Sequence, residues 1–191
     1  MTEQSRVNVQ EIYSGIADSY DEWREENPRG RLVSDRDIHM FNSIFPKELG
    51  DGEVLEIGAG TGRFTLPVLE RGVAFTATDV NESMLESLKV KVEECGFADK
   101  CKVQTADIFN LDFDDSSFGF IFTLHVIPRF QSLSDQVAAI KEIARVLKPG
   151  GRLLFNYSNR TSLYGLLRKK HVAKHSEIKA ALKDANMRIV T

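Results

Sequence analysis

The chain has 191 residues, 42% hydrophobic and 28% charged, a composition that suits a globular protein long enough for one well-buried core. Its net charge of −3 gives no overall attraction to a phosphate backbone, so a nucleic-acid partner is not expected. Cys95 and Cys101 fit neither a CxxC redox pair nor a four-ligand zinc site, and no apolar run nears the roughly 20 residues that cross a bilayer. These features predict no metal, no membrane span and, with no signal-peptide layout at Met1, a cytoplasmic protein.

From Val7 to Trp23 the residues Val9, Ile12, Tyr13, Ile16, Ala17 and Tyr20 recur at three- and four-residue steps, which predicts one helix or two short ones. The polar stretch from Glu25 to Arg31, with Pro28 and Gly30, reads as a loop before a helix near Asp35 to Phe45. Pro46 and Gly50-Asp-Gly end that helix. Strand and helix then alternate. Glu53 to Ile57 is a strand, Gly62 to about Arg71 a helix, and Val73 to Thr78 a strand. A helix from Ser83 follows, with Ser83 and Glu86 at capping-box spacing, Met84, Leu85, Leu88 and Val92 as its buried stripe, and Gly96 as its end. Cys101 to Ala106 and Phe118 to Thr123 are further strands. Leu133, Val137, Ile140, Ile143 and Leu147 mark a helix that Pro149-Gly-Gly stops. Arg152 to Tyr157 is a fifth strand, Ser176 to Ala185 a short amphipathic helix, and Met187 to Val190 the start of a sixth strand. Parallel neighbours need crossover helices, so the expected fold is a doubly wound, Rossmann-like α/β sheet. One domain covers 1–191, with a helical N-terminal lid over 1–50 and the α/β core over 51–191.

The segment from Val54 to Phe64 runs a hydrophobic strand into glycines at 58, 60 and 62 and then into a helix. Glycines there let the backbone turn tightly and let a ligand approach atoms that a side chain would cover. A dinucleotide-binding turn has its third Gly or Ala three residues after the second, and here that position is Arg63. Asp79 ends the second strand, where a carboxylate can accept both hydroxyls of a ribose. A nicotinamide enzyme would use the same carboxylate, so Asp79 does not separate the two ligands.

Glu56 followed by Gly58-Ala-Gly-Thr-Gly, together with Asp107 after the third strand and Val146-Leu-Lys-Pro-Gly-Gly-Arg-Leu-Leu-Phe before the fifth, resembles the class I S-adenosylmethionine-dependent methyltransferases. The matches run in family order over roughly half the chain. The resemblance implies methyl transfer from S-adenosyl-L-methionine, leaving S-adenosyl-L-homocysteine, to a small-molecule acceptor that the residues do not name. It places Gly58, Ala59, Gly60 and Gly62 at the methionine end of the cofactor, Asp79 at the ribose and Asp107 at the adenine, with Glu56, Val80 and Ile108 among the cofactor contacts. Met84 and Thr123 are implied as further cofactor contacts. The segment from Ile16 to Trp23 resembles the N-terminal part of small-molecule methyltransferases, which puts Tyr13 and Tyr20 over the cofactor; packing of a helix onto the core is an equal reading of these rings.

His125 follows the fourth strand at the C-terminal edge where doubly wound sheets bind ligands, and with an unperturbed pKa of about 6.5 it is the candidate base; a supporting role in the pocket wall is the alternative. Arg129, Asn156, Tyr157 and Asn159 are further candidates facing the acceptor. Gly119 departs from the family, which commonly carries Asp there. Two other functions remain open: a nicotinamide-dependent oxidoreductase, disfavoured by Arg63, and a protein that binds the cofactor or a partner without catalysis. The family's sheet usually adds a sixth strand and an antiparallel seventh, so Met187 to Val190 are expected at a sheet edge, beside the fifth strand or paired across a homodimer.

Overall fold

The computed structural model describes residue 21 and residues 26–49, 52–130, 132–159 and 173–189. Tyr13, Tyr20 and Trp23, with the helix expected around them, lie outside the described residues.

Five strands form one sheet: β1 (Glu53–Ile57), β2 (Phe75–Asp79), β3 (Cys101–Thr105), β4 (Phe118–Thr123) and β5 (Leu147–Phe155), in the order β3-β2-β1-β4-β5. The ladders β1/β4, β2/β3 and β4/β5 are parallel. Helix α1 (Pro28–Ile44) precedes β1, α2 (Thr65–Leu69), α3 (Glu82–Glu94) and α4 (Leu133–Val146) lie in the crossovers, and α5 (His175–Asp184) follows β5. The expected doubly wound α/β fold is the one that forms. The chain steps outward from β1 to β3 and then returns to β4 beside β1, so its topological switch point lies at the C-terminal ends of β1 and β4, where such sheets bind ligands. By proximity the elements gather into two compact units, one with β1, β4, β5, α4 and α5, the other with α1, α2, β2, α3 and β3.

In the first unit every residue of β4 and four of five in β1 are buried. Such unbroken buried runs mark strands covered on both faces, each large apolar side chain contributing roughly 1.5–3 kcal/mol. Helix α4 is capped by Ser132, whose hydroxyl accepts from Asp135 N at 3.0 Å. Ala139, Ile140, Ile143 and Val146 are fully buried. Leu133, expected on that stripe, is 39% exposed; Gln136 is buried in the first turn and donates Nε2 to Phe130 O at 3.2 Å.

Ladder pairing of β5 begins at Leu147, earlier than expected. Leu147 lies opposite Phe118 and Arg152 opposite Phe120, so Lys148 to Gly151 bulge outward. Gly52 and Gly151 both lie close to the backbone of Gly119 here. A Cβ on Gly52 would stand 2.9 Å from Gly119 N, and one on Gly151 would stand 3.0 Å from Gly119 O. Backbone meets backbone on both sides of residue 119, at the end of the sheet remote from the glycine turn.

The expected sixth strand does not start at Met187: residues 187–189 form no strand, and Val190 lies outside the described residues. Asn186 takes φ +57°, its N–H reaches Lys183 O at 3.0 Å, and Met187 N reaches Leu182 O at 2.8 Å. This is a Schellman closure of α5 with asparagine in the left-handed position. Met187 packs against the hydrophobic core that includes Ile178, Ala181 and Leu182. Its N–H is spent on the helix end and does not enter a ladder.

In the second unit, α1 begins at Pro28, inside the stretch expected to be a loop. Asn27 Oδ1 accepts from Arg29 N at 3.0 Å and Gly30 N at 3.4 Å, and proline at the first helical position loses no helix bond. Phe41 packs between Phe45 and Phe64, its ring tilted 55° to each with centroids 5.0 Å apart. The cap of α3 is Asn81, whose Oδ1 accepts from Met84 N at 3.2 Å, and the helix starts at Glu82, so Ser83 and Glu86 are not its capping pair. Met84, Leu85, Leu88 and Val92 are buried as expected.

Arg145 on α4 clasps the β3–β4 connection. Its guanidinium donates to Phe113 O and Leu111 O, each at 2.8 Å, and pairs with Asp115 and Glu142 at 2.7 Å. The Arg145 hydrogen bond holds the Glu142 carboxyl below its ordinary value of 4.5, and Leu111 N adds a second bond. A depressed carboxyl stabilises the fold above its unfolded value and loses that contribution as pH falls through the folded one. Glu142→Gln should therefore cost roughly 1 kcal/mol at pH 7, a figure kept small because the pair retains contact with water. Urea unfolding should show the difference from the parent shrinking below pH 4.5.

Candidate cofactor site

The turn out of β1 depends on three left-handed glycines. Gly58, Gly60 and Gly62 have φ of +82°, +56° and +96°. Other residues pay about 1–2 kcal/mol for such a conformation. Added Cβ atoms distinguish the three: at Gly58 it would lie 2.1 Å from Val126 Cγ2 and at Gly62 2.5 Å from Leu88 Cδ1, while at Gly60 it would meet nothing within 4 Å. Gly58 and Gly62 are needed for close packing, and Gly60 borders space that no described residue fills.

In the second unit Asp79 braces this turn. Its Oδ2 accepts from Gly60 N at 2.8 Å and its Oδ1 from Asn81 N at 2.9 Å. Ala59 N donates to Thr78 O at 2.9 Å, and Gly62 N to Ala59 O at 3.0 Å. Each carboxylate oxygen has more than one acceptor site, so the two backbone bonds do not exhaust the group. The structure thus brings Ala59, Gly60, Gly62, Asp79 and Val80 together and gives Asp79 a shaping role unseen in the sequence. Met84 lies just beyond, 3% exposed. Arg63 also acquires a reason. It donates to Ser34 O at 3.2 Å and pairs at 3.0 Å with Asp37, which is 4% exposed and takes Arg36 on its other oxygen at 2.7 Å. This clamp ties the glycine turn to α1, and no spacing rule marks Asp37 for it.

In the first unit Glu56 is 2% exposed at the C-terminal part of β1, paired in register with Phe122 of β4. The next residue of β4, Thr123, is fully buried and its Oγ1 has no hydrogen-bond partner among the described residues. Buried hydroxyls are normally satisfied, so this one is available to a ligand or an ordered water. Asp107 Oδ1 accepts from Phe109 N at 2.9 Å, and its carbonyl accepts from Asn110 N at 2.9 Å, an Asx-type turn. Ile108 is part of the hydrophobic core.

His125 has φ +62°, an uncommon conformation for a residue with a side chain. Asn156 Oδ1 accepts its N–H at 2.8 Å and Arg129 Nε donates to its carbonyl at 2.9 Å. Two residues expected near the acceptor therefore hold the His125 backbone. Tyr157 places its hydroxyl 2.5 Å from Nδ1 of His175, a histidine that sequence spacing did not single out.

An open concavity of about 720 Å³, lined in part by Glu53, Asp112, Ser117, Arg145 and Lys148, lies at the starts of β1 and β4. Doubly wound sheets bind ligands at the opposite strand ends, and Arg145 there is engaged by the loop it clasps, so this hollow is not the candidate site. Among the described residues no group of three or more His, Cys, Asp or Glu side chains could hold a metal ion, and no helix is long and apolar enough to cross a membrane.

The strand order and the glycine turn define a doubly wound α/β domain of the kind that binds an adenosyl cofactor at its switch point. Residues 55–155 match the family model described as a methyltransferase domain, and the chain belongs to that family. It is 32% identical over 117 residues to a sterol 4-C-methyltransferase of Caenorhabditis elegans, an alignment covering 61% of this chain and 34% of that protein. It is 31% identical over 152 residues to a ubiquinone/menaquinone biosynthesis C-methyltransferase of Geotalea daltonii, covering 76% and 61% respectively. The chain thus spans between a third and three fifths of these relatives' lengths. In fold it is similar to magnesium protoporphyrin IX methyltransferase of Synechocystis PCC 6803, crystallised with S-adenosylhomocysteine, with TM-score 0.76, 17% identity, and coverage of 97% of this chain and 90% of that one. The family match agrees with Arg63 in disfavouring the nicotinamide reading.

Gly58→Ala should destabilise the fold by about 2–4 kcal/mol, combining left-handed strain with the clash against Val126. Denaturant unfolding of Gly58→Ala with Val126→Ala should recover the steric share and leave the strain. Equal stability of Gly58→Ala and the parent would show that the turn does not have this shape.

Proposed function

We propose that the protein transfers a methyl group from S-adenosyl-L-methionine to a small-molecule acceptor. The observation that carries this reading is the braced glycine turn, in which Gly60 alone of the three opens onto space that no described residue fills while Asp79 fixes its N–H. The residues fit the cofactor on two further counts: a buried carboxylate at Glu56 and a buried hydroxyl at Thr123 with no partner among the described residues. Glu56, Gly58, Ala59, Gly60 and Gly62 would hold the methionine end, Asp79 and Val80 the ribose, and Asp107 and Ile108 the adenine, with Met84 and Thr123 beside them. When bound, the cofactor supplies a methyl group on a sulfonium whose neutral thioether leaving group needs no proton.

The chain's own residues then have two tasks. One is positioning, which alone can contribute on the order of 7–11 kcal/mol at best. The other arises if the acceptor carries a proton, and His125 would receive it on its imidazole. A histidine backbone held in a sparsely populated conformation by Asn156 and Arg129 supports that role, because such strain concentrates at functional sites. Similarity to proteins named as a sterol 4-C-methyltransferase and a ubiquinone/menaquinone biosynthesis C-methyltransferase supports an acceptor of small-molecule type.

The same reading treats residues 1–191 as one domain, with residues 1–50 covering the cofactor through Tyr13 and Tyr20, and places the protein in the cytoplasm. It also includes the homodimer expected through the C-terminal edge at Met187 to Val190, of which residues 187–189 form no strand within the single chain. Light scattering tests the dimer, and a monomer at all concentrations removes it.

S-adenosylhomocysteine and S-adenosylmethionine should raise the melting temperature and NAD should not, since a ligand that binds only the native state stabilises it. Asp79→Asn should weaken S-adenosylhomocysteine roughly tenfold by calorimetry, the scale of one lost charge-assisted bond. Stabilisation by NAD alone would overturn the reading. With a turned-over acceptor in hand, His125→Gln should lower kcat in a steady-state assay while leaving the Kd for S-adenosylhomocysteine in place, and an unchanged kcat would remove the base.

A further inference from the structure

Thr61 is the only residue of the turn between Gly60 and Gly62, and it is held from both ends. Its hydroxyl donates to Asp21 Oδ1 at 2.9 Å, and its carbonyl accepts from Lys91 Nζ at 2.9 Å. Lys91 also forms an ion pair with the other oxygen of Asp21. Three groups thus close a ring of contacts: an aspartate 40 residues upstream of Thr61, the turn itself, and a lysine on the third turn of α3.

A peptide flanked by two left-handed glycines is held weakly by its own dihedrals, because glycine populates both signs of φ at little cost. The other bonds in the turn act at its edges: Asp79 on Gly60 N–H and Ala59 O on Gly62 N–H. Neither holds the Thr61 carbonyl. Lys91 and Asp21 supply that constraint, and each is about one third exposed, so the pair sits where water competes only in part. Thr61 itself is 3% exposed, so its carbonyl and hydroxyl have little access to solvent as an alternative partner.

We infer that Lys91 and Asp21 are positioning residues for the cofactor turn, acting through Thr61: they fix the orientation of the peptide between Gly60 and Gly62 before the cofactor arrives. Neither residue belongs to the family's glycine motif or to the contacts assigned above. The inference rests on the reading that this turn binds the cofactor. It predicts that the ring contributes to affinity by pre-organisation, since a turn already in its binding shape has less freedom to lose. It further predicts that the two residues act as one unit.

The test is calorimetric titration of S-adenosylhomocysteine into the full chain and into Lys91→Met, Asp21→Asn, the double variant and Lys91→Arg, with unliganded melting temperatures measured alongside. Each single change should raise Kd roughly tenfold, and the double should be no worse than the weaker-binding single, the non-additivity of groups in one network. Lys91→Arg, which keeps the charge and the donors, should recover most of the loss. A residue that only supports the fold would lower the melting temperature and leave Kd in place. Single variants within twofold of the parent, or losses that multiply in the double, overturn the inference. If the parent itself does not bind S-adenosylhomocysteine, the cofactor reading fails instead, a separate outcome.

Discussion

The chain must leave β1 and enter α2 within a few residues, and it does so through three glycines whose φ values are all positive. This constraint is the one on which the rest depends. Left-handed backbone is tolerated cheaply only by glycine, so the sequence at 58, 60 and 62 is dictated by the turn, while Leu88, Val126 and Asp79 are dictated by the glycines they approach. Val126 and Leu88 occupy the room that missing Cβ atoms leave at Gly58 and Gly62. Among the described residues nothing fills the room at Gly60. Packing and φ together account for the first two, and the left-handed φ alone accounts for the third, which no described residue crowds.

The charged groups around the turn divide into braces and candidates for chemistry. Asp79 bonds two backbone N–H groups, Arg63 reaches Asp37 on α1, and Lys91 reaches the Thr61 carbonyl. Each is a polar contact that replaces water for a backbone or carboxylate group in a partly buried place, where an unmade bond costs more than a made bond contributes. Such bracing keeps a glycine-rich segment in a single shape despite its conformational freedom. On the β4 side the same logic holds His125: Asn156 and Arg129 satisfy its backbone, and the positive φ turns the residue out of the strand direction.

Periodicity and glycine spacing made the fold legible. The buried stripe of α3 and the limits of β4 are where the sequence places them, because unbroken apolar runs and three-to-four spacing report burial directly. Departures occur where local hydrogen bonding outweighs pattern. Pro28 reads as a breaker but stands at the first position of a helix that Asn27 caps, and Met187 reads as strand but closes a Schellman motif after Asn186. Asn81 replaces Ser83 as a cap for the same reason: the choice depends on which side chain reaches the free N–H groups, and several polar residues in a row look alike in sequence. In the candidate site the glycines, Asp79 and His125 were visible because their neighbours in sequence define a strand end. Asp21, Asp37 and Lys91 were not, since their partners lie 26 to 70 residues away and no spacing rule connects them.

Backbone amide NMR of the labelled chain tests whether the turn from Gly58 to Gly62 is the cofactor's cradle. On saturation with S-adenosylhomocysteine the amide resonances of Gly58, Gly60, Gly62 and Val80 should shift most, with those of Asp112 to Ser117 at the Arg145 clasp unmoved. Shifts concentrated at residues 112–117, or none at the three glycines with the ligand bound, would contradict it.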